Sequence, residues 1–126
     1  MPTTDVIRSA VVAYVEALNK RDLAMFLALF AEQAEQHDPV GEAPRVGRDA
    51  IARWWDGAMT GWTYFHITMR EAYIVGDEAA LVWTIEEHNE GQERSFSGVD
   101  VLEFDAEHKI VAVHAYWERR NLPGFV

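Results

Sequence analysis

Residues 48–75 read RDAIARWWDGAMTGWTYFHITMREAYIV, and the hydrophobic period changes inside this stretch. Over 48–59, Ile51, Trp54, Trp55 and Met59 recur at three- and four-residue intervals, which predicts an amphipathic helix. From Trp62 onward the period is two. Phe65, Ile67, Met69 and Tyr73 then fall on one side of a strand over 63–75, which Gly76-Asp77 ends. A chain that switches once from period 3.6 to period 2 places its helices first and its strands after them, and the expected class is α+β.

Working outward, Val6, Ile7, Ala10, Val11, Tyr14, Val15 and Leu18 form the apolar stripe of a helix over 5–19, with Thr3 or Thr4 as its cap and Asp5 favourable in its first turn. Asp22 is placed to cap a second helix, LAMFLALFAEQA (23–34), apolar on most sides. Two prolines and two glycines make HDPVGEAPRVG (37–47) an irregular connection. Beyond residue 76, Leu81, Trp83 and Ile85 alternate in a strand over 79–88, and Asn89-Glu90-Gly91-Gln92 reads as a hairpin loop. A strand over 93–104, a turn at 105–108 and a last strand over 110–119 complete the series. The expected architecture is one domain over residues 1–126, with three helices packed on one face of a curved antiparallel sheet.

The 126 residues are 49% hydrophobic and 25% charged, the usage of a chain that buries a core. Eleven Lys and Arg against 21 Asp and Glu give a net charge of −10. Phosphate backbones and anionic membrane surfaces are repelled by such a chain, so neither nucleic acid nor membrane is an expected partner. There is no cysteine, which excludes disulfides, thiolate nucleophiles and thiolate zinc sites. MPTTDVIRSA has neither the basic nor the apolar region of a secretory signal, and the expected location is cytoplasmic.

Polar residues in apolar phase are the informative ones, since burying them costs roughly 1–3 kcal/mol unless they find partners. In GVDVLEF (98–104), Asp100 shares a face with Leu102 and Phe104 while Val99 and Val101 cover the other. An inward carboxyl either bonds to backbone or is held protonated by desolvation, when it becomes a hydrogen-bond donor. Tyr14 lies in the stripe of the first helix, so its hydroxyl needs a partner or a task. Asp38 precedes Pro39, where it opens a turn or stands as a general base among apolar neighbours. Glu87 continues the Leu81, Trp83, Ile85 phase and reaches either a cavity or its mouth. The five histidines lack metalloprotease spacing, although His37 sits beside Asp38. Neither GxGxxG, GxxxxGK[ST] nor GxSxG occurs, so nucleotide binding and serine hydrolase chemistry have no support. Five tryptophans suit a core or a flat apolar ligand.

The order of elements resembles the nuclear transport factor 2-like cone, and AYVEALNKRDLAMFLALFA (13–31) with DPVGEAPRVGRDAI (38–51) resembles the Δ5-3-ketosteroid isomerases. The likeness runs from about residue 6 to residue 121, and DPVGxxPRxG before a helix is its most specific part. It implies that Tyr14 and a protonated Asp100 form an oxyanion hole and that Asp38 is the general base. The implied reaction moves a C=C bond of a 3-oxosteroid from Δ5 to Δ4. Asp38 removes a proton from C4 and returns it at C6, with neither metal nor organic cofactor. The resemblance also implies a pocket wall of Trp83, Ile85, Val99, Val113 and Trp117, which alternation turns toward the helices for all but Val99, since Val99 stands in the phase opposite to Asp100 and needs a bulge to join it. Trp55 and Glu87, where this sequence departs from the family, complete the expected substrate-contacting set.

Some isomerases support the first tyrosine with others, at positions matched here by Trp55 and Phe30. An inward Glu87, where the family has an apolar residue, would bind a polar substituent or raise a neighbouring carboxyl's pKa. The same fold hosts polyketide cyclases, dehydratases and non-catalytic binding proteins, which remain rival readings. Val99, Val101, Val111 and Tyr116 put apolar side chains on the opposite side of the last strands, and the resemblance implies a homodimer packed through the sheets.

Overall fold

The computed structural model describes residues 4–118. In chain order it comprises α1 (Thr4–Lys20), α2 (Leu23–Leu27), β1 (Phe30–His37), β2 (Arg45–Val46), α3 (Arg48–Met59), β3 (Tyr64–Val75), β4 (Glu78–Asn89), β5 (Gln92–Phe104) and β6 (Ile110–Tyr116). The six strands form one sheet in the order β2-β1-β6-β5-β4-β3. Helices α1 and α3 form as the period predicts, and Ile7, Val11, Tyr14, Leu18, Ile51, Trp55 and Met59 carry their buried faces. Val6 is exposed and Ala17 joins the buried stripe. Thr4 is already helical; Thr3, the other expected cap, and the end of the last strand at Arg119 lie outside the described residues.

The expected helix over 23–34 ends after five residues, and its second half is strand β1. Asp22 does cap α2, accepting from the Met25 amide at 3.0 Å. The carbonyls that a longer helix would have used inside itself are taken by distant residues. Lys109 Nζ donates to Ala28 O, the Ile110 amide to Leu29 O, and Arg48 Nε and Nη2 to Phe30 O. Tertiary pairing here overrides a good helical propensity. Strand β1 runs parallel to β6, with Gln36 opposite Val113, so the sheet is mixed where an antiparallel one is expected.

The remaining strands form the expected meander. Glu90 and Gly91, both at positive φ, make the two-residue turn between β4 and β5, and Gly76-Asp77 joins β3 to β4. A bulge between Met69 and Glu71 reverses the phase of β3. Phe65 and Ile67 are therefore buried and Ala72 and Ile74 pack on the core, while Tyr73, expected inside, is 59% exposed.

β3 is an edge strand, and α1 covers part of its free edge. The Asn19 side chain donates to Ile67 O at 2.9 Å and accepts from the Ile67 amide at 2.8 Å, imitating a neighbouring strand. Asn19→Ala removes both bonds and is expected to destabilise the fold by about 1–3 kcal/mol, read as a lower urea midpoint with the slope unchanged. An unchanged midpoint would show that solvent replaces the contact without loss.

Candidate functional site

Between the helices and the inner face of the sheet lies a cavity of about 230 Å³. Trp54, Trp62, Phe65, Ile67, Ile85 and Phe96 give it apolar walls, and Tyr14, Asp38, Glu87, Arg94 and Asp100 are its ionisable lining residues.

Asp100 arrives by alternation. β5 pairs with β4 in unbroken register, so Asp100 keeps the inward phase of Leu102 and Phe104 and is 6% exposed. Its two oxygens have different partners. Trp83 Nε1 donates to Oδ1 at 2.9 Å, and the Tyr14 hydroxyl lies 3.0 Å from Oδ2. Burial, then the negative charge of Asp38, raise the pKa of Asp100 to about 7 against the pull of these two bonds. The indole N–H only donates, so Oδ1 is an acceptor and the acid proton belongs on Oδ2. Two protons then serve the Tyr14–Asp100 contact, which uses one. The other remains as a donor for an oxygen placed in the cavity. Gly98 makes room for this arrangement, since a Cβ there would stand 2.6 Å from Trp83 Cζ2 and 2.7 Å from Tyr116 O.

Tyr14 is fully surrounded, with Phe26 and Phe30 at ring-centroid distances of 5.4 and 6.4 Å. Burial and the charges of Asp100 and Asp38 hold its pKa well above the ordinary value, so it is a neutral donor. Of the two residues matched to supporting tyrosines, Phe30 is in ring contact with Tyr14, while Trp55 packs on Phe26 at 4.9 Å.

Asp38 follows β1 in the inward phase of Ala34 and Gln36, and its bond to Pro39 is cis. Trp117 Nε1 donates to its Oδ1 at 2.7 Å, Arg45 Nη1 to its backbone oxygen at 3.2 Å, and the Val40 amide ties the following loop to Ala115 O. Burial raises the Asp38 pKa, while the Trp117 bond and the Arg45 charge draw it back. Asp38 and Asp100 thus share one cavity but not one environment.

Of the wall residues expected from sequence, Trp83, Ile85, Glu87 and Trp117 line the cavity. Trp55 and Val113 are buried in the core behind it, and Val99, with no bulge to turn it, faces the other side of the sheet. His37 pairs with Glu35 and stacks on His114 at 4.6 Å, and it is absent from the lining. Arg94 and Phe96 were legible in phase, being six and four residues before Asp100 on the same alternation. Among the described residues no three His, Asp or Glu side chains gather as a metal site, and no helix is long and apolar enough to cross a membrane.

Three helices on a six-stranded mixed sheet enclosing a polar-ended apolar cavity define a protein with the nuclear transport factor 2-like fold. Residues 11–113 match the SnoaL-like domain, and the chain belongs to that family. It is 29% identical over 111 residues to the steroid Delta-isomerase of Nocardioides simplex, covering 88% of this chain and 89% of that one. Its fold is similar to that of RV0760c from Mycobacterium tuberculosis, with a TM-score of 0.87 at 18% identity over 97% of this chain and 98% of the other. The same protein in complex with estradiol-17beta-hemisuccinate matches with a TM-score of 0.84 at 18% identity, over 93% and 97%.

The raised pKa of Asp100 has a consequence for stability. Between its ordinary 3.8 and about 7 the folded chain binds more protons than the unfolded one. The stability of the buried neutral acid is complete below 3.8 and lost as pH rises through about 7. Asp100→Asn, which stays neutral, is expected to remove a slope of up to about 1.4 kcal/mol per pH unit from urea unfolding measured across that range. Parallel curves for the two proteins would refute a buried acid that titrates near neutrality.

Proposed function

We propose that the chain is a steroid Δ5-isomerase, which converts 3-oxo-Δ5-steroids to their conjugated Δ4 isomers by intramolecular proton transfer. The observation that carries this reading is a base and a donor pair at one apolar cavity: Asp38, held by one indole N–H, and Tyr14 with Asp100. Proton removal next to a carbonyl needs both, because the electrons leaving the C–H bond collect on the carbonyl oxygen.

In this mechanism ionised Asp38 takes a proton from C4, and the negative charge develops at O3. The Tyr14–Asp100 bond opens as that oxygen arrives, so that Tyr14 and protonated Asp100 both donate to it, in a site whose apolar walls strengthen each bond. Neutral Asp38 then delivers its proton to C6, which places the double bond at Δ4 and restores the carboxylate. The Trp117 bond steadies the carboxylate without quenching it, since an indole donates one proton and carries no charge. Trp83 orients Asp100, so that its free proton is on the oxygen beside Tyr14.

The similarity to an isomerase over most of both chains supports this reading. Glu87 in the cavity wall favours a second one, a cyclase or dehydratase that uses Asp38 as base on a polycyclic β-keto substrate. A homodimer packed through the outward face of β5 and β6, where Tyr116 is exposed, is part of the proposal, and sedimentation equilibrium should then give twice the mass of the chain.

Formation of the conjugated enone from 5-androstene-3,17-dione, followed by ultraviolet absorbance, is the direct test. The native chain should convert it, Asp38→Asn should be slower by about 10³-fold or more with little change in steroid affinity, and Tyr14→Phe by about 10²-fold. No conversion by the native chain would overturn the isomerase reading, and turnover unaffected by Asp38→Asn would overturn the assignment of the base.

A further inference from the structure

The cavity has a second polar end. Glu87 on β4 and Arg94 on β5 are register partners, and both side chains line it. Arg94 Nη2 donates to Glu87 Oε2 at 2.7 Å, and its guanidinium carbon lies 4.6 Å from the centre of the Trp62 ring, whose Nε1 is fastened to Ala58 O. Glu87 is 6% exposed, and burial raises its pKa while Arg94 draws it back. A buried ion pair stabilises a fold no better than well-packed apolar side chains do, so stability alone gives no reason for it in a wall of tryptophan, phenylalanine and isoleucine.

The pair is also incompletely used. The ion pair occupies one carboxylate oxygen and one N–H, leaving Glu87 Oε1 without a hydrogen bond and Arg94 Nε buried without an acceptor among the described residues. The cavity wall thus holds a donor residue and an acceptor residue joined as one pair, their charges cancelled. Six residues of β5 separate Arg94 from Asp100, about 20 Å of extended strand, so a ligand that meets both ends is long.

We propose that Glu87 and Arg94 form a subsite for a hydroxyl group at the far end of an elongated apolar ligand. A hydroxyl meets both partners at once, donating to Glu87 and accepting from Arg94. A ketone meets only Arg94, and a carboxylate is repelled by Glu87. The inference rests on the steroid reading for the orientation, with the enolic end at Tyr14 and Asp100.

The test is equilibrium binding of three phenolic steroids that differ only at the end remote from the phenol, followed by tryptophan fluorescence. Estradiol carries a hydroxyl there, estrone a ketone, and the parent phenol no oxygen. The native chain should bind estradiol about tenfold more tightly than either of the others. Glu87→Leu combined with Arg94→Met removes both charges together, and it should bind all three within about twofold while the parent phenol keeps its native affinity. Arg94→Lys preserves the charge balance and a folded pair, but loses the fork of donors and should narrow the gap. Equal affinities in the native chain, or a preference that survives these substitutions, would overturn the subsite alone. Failure of the native chain to bind any of the three would overturn the steroid reading and the subsite with it.

Discussion

Asp100 is a carboxyl group removed from water, and the inner face of the fold is arranged around keeping it there. Its two oxygens are met by an indole from the neighbouring strand and a phenol from the first helix. Removing either partner would leave a buried polar atom unmet, which is expensive in a low-dielectric interior. The same burial raises the pKa to about 7 and makes the acid a donor at neutral pH. Structure and chemistry thus depend on one desolvated group, and Gly98 is small because the Trp83 indole must lie across it to reach that group.

The rest of the cavity sets this acid against a second carboxyl of different character. Asp38 sits at the end of a strand, held by one indole and drawn toward ionisation by Arg45. Asp100 has no cation among the influences on its pKa and is the drier of the two. Each negative charge raises the cost of the other, so the pair favours one ionised and one neutral member. That asymmetry is what a proton transfer between carbon atoms requires. Tryptophan recurs as the partner of carboxylates here, since Trp83 and Trp117 both donate one N–H while their rings stay in the apolar wall.

Local pattern carried the meander and helices α1 and α3 well. Their periods are sustained, and the turns at Gly76-Asp77 and Glu90-Gly91 each hold a glycine at positive φ. It carried the inward phase of Asp100, because β4 and β5 pair without a register shift, but for Glu87 alternation left cavity and mouth equally open. It failed at β1, where alanine, glutamine and glutamate favour a helix that Lys109, Ile110 and Arg48 prevent by taking the carbonyls leading into it. It failed at Tyr73, beyond a bulge that no residue in the stretch announces. Trp55, Val99 and Val113 were expected in the wall through family likeness, and their positions follow from core packing and strand phase instead.

Alternation and helical spacing depend on neighbours within a few residues, and so the sequence by itself determined most of the side chains that turn inward on α1, α3, β4 and β5. It also placed Tyr14, Asp38 and Asp100 among residues too apolar for them. Only the tertiary structure decided that these three meet at one cavity, that Trp83 and Trp117 hold the two carboxyls, and that Arg94 stands beside Glu87. Those contacts join residues as many as 86 positions apart in the chain. Their geometry depends on sheet order, on the parallel pairing of β1 with β6 and on the bulge in β3, each a result of packing that no local pattern contains.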